Sequence, residues 1–139
     1  MSGVGWVAMA TRPAHVRSLD HLVLTVGDLR ATVDFYTRVL GMEERTFSGR
    51  TALRFGDEKI NLHEAGNEFE PKALRPTPGS GDLCFVVGGP IEDVVAALTD
   101  AGVTIEEGPV DRTGALGPMR SVYLRDPDRN LVELAVYPL

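Results

Sequence analysis

The 139-residue chain predicts an α+β domain: two tandem βαβββ modules whose strands form an open, cup-shaped mixed sheet with helices on its outer face. Three observations lead there. Alternating strand patterns and helical stripes follow one another in the order βαβββ twice over. The same interval of 20 residues separates His21 from Gly41 and Asp82 from Gly102, and the two halves are offset by 61 residues. In each half, one face of every strand is apolar and the other gathers polar side chains.

The first module starts with "LDHLVLTV" (Leu19 to Val26), where Leu22, Leu24 and Val26 share one face and His21, Val23 and Thr25 the other. In "GDLRATVDFYTRVLG", Asp28 is placed to cap a helix whose stripe is Leu29, Val33, Tyr36 and Leu40, and Gly41 stands where the helix must end. "MEERTFS", "TALRFG" and "KINLHEA" follow as three strands separated by Gly and charged turns. The second module opens on the strand "DLCFVV". The helix "PIEDVVAALTDAG" comes next, with Pro90 in its first turn and Ile91, Val94, Val95 and Leu98 as its stripe. "VTIEEG", "MRSVYLR" and "NLVELAVY" complete it. The boundaries are a tail over 1–17, one domain over 18–137 with module one at 18–65 and module two at 81–137, and a Pro- and Gly-rich linker at 66–80. "GPVDRTGALGP" (Gly108 to Pro118) is longer than a hairpin needs and is predicted to be a loop covering the cavity.

Composition narrows the partners. Fourteen basic residues against twenty acidic ones give a net charge of -6, which disfavours nucleic acid, because phosphate backbones need a basic face. The single cysteine, Cys84, excludes an intrachain disulfide and fits a reducing, cytoplasmic setting. No apolar run approaches the roughly 20 residues that span a bilayer, so no membrane partner is expected. The opening "MSGVGWVAMATRPAHVR" has no basic residue ahead of its apolar stretch and makes a poor signal peptide. It reads as a loose or dimer-contacting tail, with His15 an exposed bystander.

Strand parity defines the candidate chemistry. Leu22/Leu24, Ile60/Leu62, Leu83/Phe85 and Val132/Leu134 point to the helices, while His21, Asn61, His63, Asp82, Cys84 and Glu133 point away. His21, His63, Asp82 and Glu133 are thus four metal-capable groups on four strands. Imidazole and carboxylate donors suit Fe, Mn, Zn, Ni or Co, and an open position on such an ion acts as a Lewis acid. Alternatively, each polar residue simply faces water on a half-exposed sheet. Glu133 is the hardest to leave there, with apolar neighbours on both sides. Cys84 has no visible base nearby and suits a small packed position. Ser121, Tyr123 and Arg125 share a face and stand within reach of a ligand, as does Arg54, and "RDPDRN" (Arg125 to Asn130) has the composition of a tight turn setting the register of the last strand.

"HLVLTVGDLRATVDFYTRVLGME" and "YLRDPDRNLVEL" resemble the two signatures of the glyoxalase/bleomycin-resistance, or vicinal oxygen chelate, superfamily, over nearly all of residues 18 to 137. "FGDEKINLHEAGNEFEPKA" and "GPVDRTGALGP" are similar to the subgroup called glyoxalase domain-containing protein 5. The resemblance implies a divalent metal at the base of the cup, with ligands from the first and last strand of each module. Carried over singly, those positions are His21, Asn61, Asp82 and Glu133. Asn61 stands where glyoxalase I has a carboxylate, and Asp82 where the family usually has His. His63, about 7 Å beyond Asn61 along the strand, is then the replacement nitrogen ligand or an acid/base. The expected metal ligands are His21, Glu133, His63 and Asp82, with His63 and Asp82 as the proton-transfer groups. The expected function is a divalent-metal enzyme that chelates a small oxygen-rich substrate, lyase- or isomerase-like, in a homodimer. The other functions implied are an extradiol-dioxygenase-like or fosfomycin-resistance-like enzyme, or a metal-free drug-binding protein. The last is weakened by an aromatic content of 6% and by Trp6 lying in the tail.

Overall fold

The structure, a computed structural model, describes residues 13–138. Trp6 and most of the tail lie outside the described residues; His15 is exposed, as expected. The elements run β1 (His21–Val26), α1 (Leu29–Arg38), β2 (Glu43–Phe47), β3 (Arg50–Phe55), β4 (Glu58–Glu64), β5 (Asp82–Val86), α2 (Ile91–Asp100), β6 (Glu107–Gly114), β7 (Gly117–Arg125) and β8 (Leu131–Val136). They form two four-stranded mixed sheets, ordered β1-β4-β3-β2 and β5-β8-β7-β6. In each, the first strand pairs in parallel with the last, and the other pairs are antiparallel. The duplicated βαβββ plan is therefore present.

Local chemistry explains the starts and stops. The Asp28 carboxylate accepts from the Ala31 N–H at 3.0 Å, satisfying one of the free donors at the start of α1. Val33 and Tyr36 of α1 bury against Leu24, Val26, Leu53, Ile60 and Leu62. In the second module, Ile91 and Leu98 of α2 bury against Val122, Leu124, Val132 and Leu134. These two cores are continuous: Phe35, Leu40 and Phe85 touch both. The rings of Phe55 and Phe85, one from each sheet, meet edge-on at 5.4 Å. The helix sides of both sheets thus share one interior. The opposite faces are turned outward, with Val23 45% and Val86 65% exposed.

One segment departs from expectation. The predicted strand over 103–108 and the covering loop over 108–118 are replaced by β6 and a hairpin. Val103 and Ile105 lie outside any strand, and their alternation comes from packing on the second core. The ladder begins where the Glu106 N–H donates to the Tyr123 carbonyl at 2.7 Å. It shifts register between Glu107 and Val110 and ends at the Gly114–Gly117 pair, around a two-residue turn. The turn "RDPDRN" does more than set a register. Asp126 accepts from the Tyr36 hydroxyl at 2.7 Å and from the Asn130 amide at 2.8 Å, while Asp128 accepts from the Gly27 N–H at 3.0 Å. One turn of module two therefore clasps α1 of module one. No helix among the described residues is long and apolar enough to cross a membrane.

Candidate metal and substrate site

Register places the predicted residues. His21, Val23 and Thr25 stand opposite Lys59, Asn61 and His63 across the parallel β1–β4 pair, and Asn61 is opposite Ala52 on β3. In the second sheet, Glu133 is flanked by Cys84 on β5 and Tyr123 on β7, and Asp82 faces Leu131. All six polar candidates occupy the outward faces.

His21 opens β1 and is 43% exposed at its side chain. Its Nδ1 lies 2.7 Å from Asp20 Oδ2. That bond holds the Asp20 carboxyl below the usual carboxylate range and leaves Nε2 free to face outward. A carboxylate behind an imidazole is the arrangement that orients metal-binding histidines. Asn61 shows the opposite condition: its Oδ1 is buried and has no hydrogen-bond partner among the described residues. A lone orphaned amide oxygen on the cup face needs an explanation, and a cation or ligand group supplies one. His63 is only 6% exposed, although it lies on the outward face. The linker covers it, with Phe69 edge-on to its ring at 5.6 Å and Arg50 stacked 4.3 Å over the far side of Phe69.

Glu133 is half-buried. Its Oε2 accepts a 2.6 Å hydrogen bond from Ser121 Oγ. Burial first, and then the Glu133 charge, pushes the Cys84 thiol up to about 11, so at neutral pH it is a protonated neighbour and no nucleophile. Tyr123 accepts from Arg112 Nε at 2.8 Å, and Arg112 also reaches Glu107 at 3.0 Å. Asp82 is exposed at the start of β5.

The chain does not bring the four predicted ligands together. Among the described residues, no three His, Cys, Asp or Glu side chains lie close enough to hold an ion. His63 is four positions along β4 from the residue opposite His21, about 13 Å at the rise of a parallel strand. His63 therefore belongs to a different part of the cup. Instead the candidates divide between the two sheets, His21 and Asn61 on one and Asp82 and Glu133 on the other. Each offers nitrogen or oxygen donors suited to a divalent ion. Sequence reasoning undervalued Asn61, and it could not see the Ser121 and Arg112–Tyr123 partners. Strand parity was the only available signal for them.

Residues 18–134 match the family model described as the Glyoxalase/Bleomycin resistance protein/Dioxygenase superfamily. The chain is 56% identical over 133 residues to glyoxalase domain-containing protein RDO1 of Mycosarcoma maydis, covering 95% of this chain and 75% of that protein. It is 58% identical over 120 residues to virulence protein STM3117 of Salmonella typhimurium, covering 86% and 83% respectively. The crystal structure of STM3117 superposes with a TM-score of 0.88, over 90% of this chain and 100% of that one. The paired βαβββ sheets and these matches agree: the chain belongs to the glyoxalase/bleomycin resistance protein/dioxygenase superfamily.

Proposed function

We propose that the protein is a divalent-metal-dependent enzyme that binds a small substrate through two vicinal oxygens, in a site assembled between two copies of the chain. One observation carries this reading. His21 and Glu133 lie on sheet faces turned away from the shared interior, so a single chain divides its candidates between two faces. β1 and β5, which carry His21 and Asp82, are each the last strand of their sheet, and such edges invite pairing with another chain. Charge favours module one of one copy facing module two of the other. Arg50, Arg54 and Lys59 line the first cup face, with Lys59 3.9 Å over the Phe47 ring, and Asp82 and Glu133 line the second beside Arg125, which Glu106 already pairs.

His21 and Asn61 from one copy and Asp82 and Glu133 from its partner would hold the ion. When bound, it supplies a Lewis acid that polarises the chelated oxygens. The chain's own groups do the rest. Asp20 keeps the His21 ring oriented, Ser121 fixes one oxygen of Glu133, and Asp82 stands exposed to exchange a proton with the substrate. His63 lies about 7 Å along β4 from Asn61, and reaches the substrate rather than the ion.

The test is metal stoichiometry after loading with Fe(II), Mn(II), Ni(II) or Zn(II). Glu133→Gln and His21→Ala should each lower occupancy at least tenfold. Co-expressed His21→Ala and Glu133→Ala chains should recover one ion per mixed dimer, because one of its two cups is intact. Occupancy unchanged in Glu133→Gln, or no recovery in the mixed dimer, overturns the reading. A second function, metal-free binding of a small molecule, is favoured by a cavity of about 980 Å³ at the end of the second sheet, walled by Val86, Pro90, Ile91, Met119 and Tyr137. Stoichiometry near zero with every metal would select it.

A further inference from the structure

The linker makes a second cavity that the metal reading does not use. It has a volume of about 340 Å³, at the small end of ligand pockets. Its floor is Val23, Thr25 and His63; its wall is linker chain, including Arg75 and Thr77. His63 is 6% exposed, and its ring lines this cavity. An imidazole that lines a cavity presents it with a ring N–H donor. No carboxylate lines this space, although Glu68 lies near enough for the Lys72 and His63 charges to act on it. Of its two cations, Lys72 is paired with Glu70, whereas Arg75 forms no ion pair among the described residues. Pro71, Ala73 and Pro76 add apolar wall, and Ser80 a hydroxyl.

We propose that this pocket binds the carboxylate of a small organic acid, with the His63 ring N–H and the Arg75 guanidinium as its donors and the proline-rich wall against its apolar body. A planar guanidinium matches a carboxylate with two parallel hydrogen bonds, which a neutral amide cannot accept equally well. Neutral imidazole already carries one N–H, so the assignment does not depend on protonating His63. Its floor residues Val23, Thr25 and His63 belong to the sheet face that carries His21. The inference rests on the metal reading only in making this acid part of the chelated substrate, and it tells which end of that substrate carries the charge.

The test is run in EDTA, so that it succeeds or fails independently of the metal site. Benzoate is titrated into the full chain while the histidine ring signals are followed by NMR, with His63→Gln identifying the relevant one of the three histidines. Benzoate should shift the His63 signal saturably and leave His21 unmoved, while benzamide should bind at least tenfold more weakly. Arg75 is exposed, so Arg75→Gln keeps the fold; it should weaken benzoate about tenfold, and Arg75→Lys should restore part of that loss. Three outcomes overturn the proposal: no saturable shift, equal binding of benzamide, or unchanged affinity in Arg75→Gln. Inorganic phosphate displacing benzoate at equal concentration would overturn the choice of a carboxylate.

Discussion

Tyr36 shows what a single residue contributes beyond its ring. It is fully buried, and its hydroxyl donates to Asp126, which Asn130 also satisfies. Burial first, and then the Asp126 charge, raises the phenol's pKa above its ordinary value. The sign of the pH effect follows. Below about pH 10 both folded and unfolded states keep the proton, and the stabilisation is complete. Above that, the unfolded chain releases its proton while the folded chain retains it, so stability falls by up to about 1.4 kcal/mol per pH unit. Tyr36→Phe should cost about 1–2 kcal/mol at pH 7 and lose this alkaline slope, so that urea denaturation curves of the two proteins converge above pH 10. A constant difference from pH 7 to 11 would show that the fold does not keep the phenol protonated. From sequence, Tyr36 reads only as one member of an apolar stripe. Its partner is 90 residues away, and periodicity carries no information about such a pair. At this scale the buried partners of side chains were the illegible part.

The elements themselves were largely legible, because helix caps and strand alternation are local. β6 is the instructive exception. Its pattern is interrupted by Gly108, whose backbone sits at φ +107 within the register shift. A Cβ at Gly108 would meet the Ser121 carbonyl oxygen and come 3.0 Å from Val122 Cα, so the bulge needs glycine for space as well as for its dihedral. Gly117, at φ +124, has open space around the same imagined Cβ. Gly108→Ala should therefore destabilise the protein by about 2 kcal/mol or more, and Gly117→Ala by about 1 kcal/mol from backbone strain alone. Equal shifts in the urea midpoint would mean that the bulge has room to relax. A bulge looks like a loop in sequence because its extra residue breaks the period of two. Glu133 was legible for the converse reason: in an unbroken strand, parity alone sets its face.

At the scale of the molecule, the duplication was visible as a repeat, but the way the halves meet was not. The repeat alone leaves open whether His21 and Glu133 share a cavity within one chain or across two. The chain joins its modules through their helix sides. Phe35, Leu40 and Phe85 read as ordinary core residues of either half, and nothing in their spacing says that they bridge both. A protein comprising residues 13–80 alone would expose the bridge and lose the clasp on α1. It should show no cooperative thermal transition in near-UV circular dichroism, whereas the full chain should show one. A sharp transition for the fragment would mean that each module is stable by itself. The clasp also has a consequence in time. Gly27 and Asp128 are bonded across 101 residues, so on a ribosome the first module emerges early but cannot be locked until almost the whole chain has been made. Contacts so distant in sequence form late. Through most of synthesis, a finished-looking half stands with its apolar bridge uncovered, in need of shelter until its last strand arrives.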